Sequence, residues 1–140
     1  MSLRSDLLVW IDLEMTGLDP HENKIIEIAS IITDSELSII AEGPNIIISQ
    51  PEDELAKMDE WNVSHHTANG LIDKVRKSSI DTKAAEQMTC EFLAKYCTPN
   101  TALLCGNSIG TDRLFLFFHM QELEQFVHYR SIDVTSVKEL

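Results

Sequence analysis

The chain has 140 residues, 44% of them hydrophobic and 24% charged, which is the balance of a globular domain with a sizeable core. Its net charge of −12 argues against a general nucleic-acid coat protein, whose affinity rests on an excess of Lys and Arg. An enzyme that grips a short substrate locally is not excluded.

An apolar run opens the chain and reads as a buried strand from about Leu7 to Leu13. TGLDPHENK is a polar loop, with Gly17 and Pro20 as breakers. Ile25 to Asp34 is rich in β-branched residues and reads as a second strand. A third runs roughly from Ser38 to Ser49, interrupted near Gly43-Pro44. Three strands with tight connections suggest an antiparallel meander. Pro51 followed by Glu52, Asp53 and Glu54 reads as a helix start, and a short helix is expected over Thr67 to Lys77. Asp81 to Cys97 is the best helical segment. Asp81 can cap it, and Ala84, Met88, Phe92 and Leu93 fall on one face. TALLCGN is a short buried strand, DRLFLFFHM an apolar helix, and YRSIDVTSV contains a last strand before a helix begins at SVKEL. The order predicts an α/β fold: a mixed sheet, meander plus parallel strands, flanked by helices, as a single domain over residues 1–140.

Cys90, Cys97 and Cys105 form no C-x-x-C pair, which argues for core packing in a reducing compartment. MSLRSD has no apolar h-region, and no run is long enough to span a membrane, so a cytoplasmic location is expected.

Chemistry concentrates in WIDLEMTGL. Asp12 and Glu14 are two apart on a strand and so share a face, where like charges repel unless something positive lies between them. Mg²⁺ or Mn²⁺, which take carboxylate oxygens, would relieve that repulsion. CGNSIGTDR offers a further acid, Asp112, near a helix start. Taken alone, Asp112 reads as an ordinary N-terminal helix acid.

WIDLEMTGLD, AEGP, DEWNVSHHTANGL, CGNSIGTDR and HYRSIDVTSVKEL, in that order, resemble the oligoribonuclease family. Its members are short-RNA 3′-to-5′ exonucleases of the DEDD superfamily, DEDDh subgroup, with an RNase H-like fold. The resemblance implies that Asp12, Glu14 and Asp112 are catalytic acids holding two divalent ions, Mg²⁺ or Mn²⁺. It implies that Leu18 is a wedge between two bases and that Trp61 and His66 line the pocket of the 3′ nucleotide. It also implies a cap of Ser108, Arg130 and Thr135 around the 5′ phosphate, with His128 and Tyr129 reaching across from the second subunit of a homodimer. The substrate implied is very short RNA, dinucleotides above all. Without the family, Trp61 reads as core and Tyr129 as an interface aromatic; Arg130 could pair with one of the 23 acids, but is the one of these residues for which the bland reading is not favoured. Two other readings stand beside it: a non-catalytic nucleotide-binding or dimerising module, and a proofreading-type exonuclease acting on DNA. DEWNVSHH and HYRSIDV argue against the second.

The family pattern also implies a third motif beyond VKEL, a general-base histidine followed five positions later by a fourth aspartate. His128 to Asp133 satisfies H-x-x-x-x-D, but it belongs to the separate HYR…DV block and runs into a strand. The expectation is a chain lacking its C-terminal helices and third motif, and nearly inactive as it stands.

Overall fold

The computed structural model describes residues 3–140. Its centre is a five-stranded sheet in the order β3-β2-β1-β4-β5. The strands are β1 (Leu8–Met15), β2 (Ile25–Thr33), β3 (Ile39–Ile47), β4 (Leu103–Gly106) and β5 (Ser131–Asp133). β1, β2 and β3 pair antiparallel, while β4 pairs parallel to β1 and β5 parallel to β4. The mixed sheet expected from the sequence is therefore present, with β1 at the point where antiparallel gives way to parallel. Such switch points are where open α/β sheets place their sites.

Alternation along β1 decides the two faces. Val9, Ile11 and Leu13 are buried and pack with Ile28, Ile32, Ile46, Leu93, Phe115 and Leu116 in the main core. Trp10, Asp12 and Glu14 lie on the other face. β1 runs two residues beyond the expected end at Leu13, so Glu14 is a strand residue paired with Glu27. β3 continues through Gly43-Pro44, but its pairing with β2 shifts register there, between Ala29↔Asn45 and Ile31↔Glu42, where the interruption was expected. An edge strand tolerates proline, and a Cβ at Gly43 would lie 2.3 Å from Ser30 Oγ, so this close crossing requires glycine.

The helices are α1 (Glu52–Leu55), α2 (Glu60–Ala68), α3 (Leu71–Lys77), α4 (Thr82–Ala94), α5 (Ile109–His119), α6 (Gln121–Phe126) and α7 (Val134–Lys138). The single helix expected over Thr67 to Lys77 is two. Gly70, at φ 70°, breaks the chain between α2 and α3. Leu71, Ile72 and Val75 of α3 form a small second core with Ile26 and Leu55. Asp81 caps α4 as expected, accepting from the Ala84 N–H at 2.8 Å. The buried face of α4 is Ala85, Glu86, Thr89 and Leu93, rotated from the expected one, and Met88 is exposed. The cause is Glu86. Its carboxylate reaches inward to accept the N–H groups of Glu122 and Leu123 at 2.8 and 3.2 Å, capping α6, a helix the sequence reading missed. The last strand is only three residues long. Asp133 ends it and caps α7, which begins two residues before the expected SVKEL start. Cys90, Cys97 and Cys105 are free thiols, Cys97 and Cys105 fully buried. Among the described residues no helix is long and apolar enough to cross a membrane.

Candidate active site

β1 pairs with β4 only from Leu8 to Trp10, but with β2 as far as Met15. Beyond Trp10 the strand edge facing β4 has no ladder partner, and its backbone groups need other bonds. α5 supplies one. The Leu13 N–H donates to Asp112 Oδ2 at 3.1 Å, so the acid of the second motif is tied to the residue between the two acids of the first. Gly106 makes this approach possible, since a Cβ there would lie 2.9 Å from Ile109 Cδ1 and 3.1 Å from Ile11 O.

The three acids differ in environment. Asp12 is exposed, Glu14 half-buried, and Asp112 only 8% exposed. Burial pushes the Asp112 carboxyl up to about 6, with the charges of Asp12 and Glu14 adding and the Leu13 N–H opposing. Burial also raises Glu14, reinforced by Asp12 and Glu27 and countered by His66 and His65. Among the described residues no Lys or Arg forms a salt bridge with any of the three. Crowded, half-desolvated carboxylates with no cationic side chain are the donor set of a hard divalent ion, and the residues fit Mg²⁺ or Mn²⁺. The tightest group among the described residues is Glu14 with His65 and His66, whose ligand atoms lie within 4.8 Å of one another; Asp12 and Asp112 stand outside it. His65 was not singled out from the sequence. Its spacing of four from Trp61 in a helix is the signal that could have found it.

α2 lies over the end of β1. His66 is 1% exposed, its Nε2–H donates to Met15 O at 2.9 Å, and its Nδ1 has no partner. Trp61 is 67% exposed and stacks on His65, ring centroids 4.8 Å apart, so it is not core. Leu18 is 78% exposed at the tip of the β1–β2 loop. That loop is built to a fixed shape. Asn23 Oδ1 accepts from the Asp19 N–H, Thr16 Oγ1 accepts from the Lys24 N–H, and Gly17 lies where a Cβ would meet Asn23 Oδ1 at 2.4 Å.

On the other side of the acids, Ser108 holds a left-handed conformation, φ 47°, at the start of α5. Its N–H is shared between Asp133 Oδ1 and Thr135 Oγ1, both at 3.0 Å, and its hydroxyl lies 3.2 Å from Thr135 Oγ1. Ser108 and Thr135 are thus brought together. Arg130 is not joined to them by any side-chain bond. It donates to Tyr129 Oη at 3.1 Å and lies over that ring, among the described residues pairing with no acid. His128 stacks on Tyr129, which is 70% exposed. Asp133, the aspartate of the H-x-x-x-x-D match, is occupied as a cap for Ser108 and Thr135. A pocket of about 350 Å³ beside Asp12 is lined by Trp10, Asp12, Ala29, Ile31, Cys105 and Val134; Glu14 and Asp112 do not line it.

The exonuclease family RNase_T matches the chain over residues 9–140. The oligoribonuclease of Vibrio parahaemolyticus is 56% identical over 140 residues, covering all of this chain and 77% of the relative. That of Marinobacter nauticus is 58% identical over 135 residues, 96% of this chain and 75% of the relative. Among solved structures, Escherichia coli exonuclease I in complex with an oligonucleotide superposes with a TM-score of 0.65 at 15% identity, over 95% of this chain and 29% of that one. Exonuclease I of Methylocaldum szegediense gives 0.65 at 16% identity, over 96% and 29%. At such identity the likeness speaks for the fold alone, and the mixed sheet flanked by helices is RNase H-like.

Proposed function

Since this chain belongs to the oligoribonuclease family of exonucleases, we propose that its substrate is very short RNA, dinucleotides above all, which it cuts in the 3′-to-5′ direction. The observation that carries this reading is the Leu13–Asp112 bond, which sets a desolvated carboxylate against a strand already carrying two more. Asp12, Glu14 and Asp112 would hold two Mg²⁺ or Mn²⁺ ions. Bound there, such ions supply charge stabilisation at a phosphoryl group and an acidified water.

The chain's own residues bind and orient. Exposed Leu18 is the wedge between two bases, while Trp61 and His66 receive the 3′ nucleotide, a sequence-tolerant way to hold a base. Ser108 and Thr135, already in contact, take the 5′ phosphate with Arg130, whose fork suits a phosphate. His128 and Tyr129, stacked and solvent-facing, complete the site of a second copy in a homodimer. The 140 residues act as one exonuclease unit in the cytoplasm.

His66 donates Nε2–H to Met15 O and keeps an unpartnered Nδ1 that can accept a proton, whereas Asp133 is engaged as a cap and does not serve as a further acid. A well-placed general base contributes about 10²- to 10⁴-fold. The test is end-labelled RNA of graded length with Mn²⁺, then EDTA. Cleavage of the dinucleotide far ahead of longer strands, stopped by EDTA, supports the reading. Equal cleavage of all lengths, or preference for DNA, removes it. Metal-dependent binding with no cleavage under any condition returns the non-catalytic module.

A further inference from the structure

α5 holds both substrate-gripping loops. In its second turn, half-buried Arg113 donates from Nη2 to His128 O at 2.8 Å and from Nη1 to Ser131 Oγ at 2.9 Å. Its Nε lies 3.4 Å from Glu124 Oε1 on α6. Arg113 thus brackets Tyr129 and Arg130, the residues between its two loop partners. At the other end of the helix, half-buried His119 donates Nε2–H to Pro20 O at 2.9 Å. The neighbouring Phe118 meets the His21 ring edge-on, centroids 4.4 Å apart. Both contacts fall on the loop that carries Leu18. Asp112 lies on the same helix, bonded to β1.

Each tether binds a backbone carbonyl, and Arg113 the Ser131 hydroxyl as well, so it fixes the course of a loop without engaging the side chains of Leu18 or Arg130. The loops are otherwise separate in the chain, residues 16–24 and 127–130, and rigid helix joins them. Arg113 and His119 are six residues apart, about 9 Å along a helix axis. Burial holds the His119 imidazole below its ordinary value, which suits a neutral ring donating one N–H.

We infer that α5 is the frame that sets the gap between the base wedge and the phosphate cap, with Arg113 and His119 as positioning residues that determine substrate length. This deepens the proposed function and rests on its assignment of Leu18 and Arg130 as grips. Neither tether residue touches substrate; each acts through the loop it holds.

The experiment is a pair of crossed double-mutant cycles on the chain, read as affinity for a fluorescent 5′-phosphorylated diribonucleotide and for a pentaribonucleotide, with Ca²⁺ in place of Mg²⁺. Arg113→Ala and His119→Ala each weaken dinucleotide binding roughly five- to tenfold and spare the longer strand, so length preference falls. Arg113→Ala is non-additive with Arg130→Ala and additive with Leu18→Ala. His119→Ala shows the reverse. A general loss of structure would be additive with both partners or with neither. His119→Gln, which keeps a donor for Pro20 O, restores preference. Melting temperatures accompany every variant, and if an Ala variant does not fold, Arg113→Lys or His119→Gln replaces it in the cycle. If Leu18→Ala and Arg130→Ala themselves leave binding unchanged, the grip assignments fail and this inference falls with them. If the grips weaken binding but the tether variants keep length preference, or the cycles show no crossed pattern, the frame alone is overturned.

Discussion

The backbone N–H of Leu13 and the Oδ2 of Asp112 are 3.1 Å apart, a bond between the central strand and a helix 99 residues further along the chain. Leu13 has no side-chain chemistry of its own here. Its amide is available because β4 leaves β1 after Trp10, and Asp112 takes the place a strand would have filled.

With metal chelated, stability should fall as pH rises. Asp112 titrates at about 6 in the folded chain and near 3.9 unfolded, so in that window the folded state binds the extra proton. Ionising it costs the fold about 3 kcal/mol between pH ~4 and ~6, after which its contribution levels. Thermal melts in EDTA across that range check this. Asp112→Asn should flatten the slope, and Mn²⁺ should stabilise the parent more than the variant.

Asp12→Ala should lower metal-dependent cleavage about a hundredfold or more, since a lost ligand removes several kcal/mol of charge stabilisation. Asp12 is exposed, so its melting temperature should stay close to the parent's. Full activity in the variant would remove Asp12 from the metal site.

Trp61→Ala separates binding from folding. The indole stacks only on His65 at the surface, and its loss should leave the melt unchanged. Dinucleotide affinity should fall by about 1–3 kcal/mol, the worth of one base–aromatic stack. Fluorescence titration reads both Trp61 and the loss.

Glu86→Ala should be among the most destabilising single changes, about 3 kcal/mol, because two α6 amides lose their acceptor inside the protein. Glu86→Gln keeps an acceptor and should cost less. Denaturant unfolding of both variants gives the comparison.

The strands were legible because β-branched runs and alternation are local signals, and Asp81 announced its helix by its position. The register of α4 was not. An acid that leaves the solvent face to cap a distant helix reverses the usual meaning of Glu in an amphipathic pattern. The same bond is why α6 was invisible, since its N-terminus has no cap of its own. Asp12, Glu14 and Asp112 could be named from the sequence, but the Leu13 amide that joins them could not, because nothing in a sequence says where two strands part. The roles of Arg113 and His119 are hidden in the sequence for a related reason: each binds a loop carbonyl, a group that every residue has.

The sheet also has a history in time. β1, β2 and β3 follow one another closely in the chain, so their pairing closes short loops and comes early. β4 must return from Leu103 to Leu8, with three paired positions on each side, and it brings α5 with it. The half of the molecule holding Asp12 and Glu14 is thus the first to assemble and the half holding Asp112 the last. Amides of Leu103–Gly106 should exchange with solvent ahead of those in β2. α5 travels with β4 in this order, and its Ile109, Phe115 and Leu116 complete the core that the meander begins.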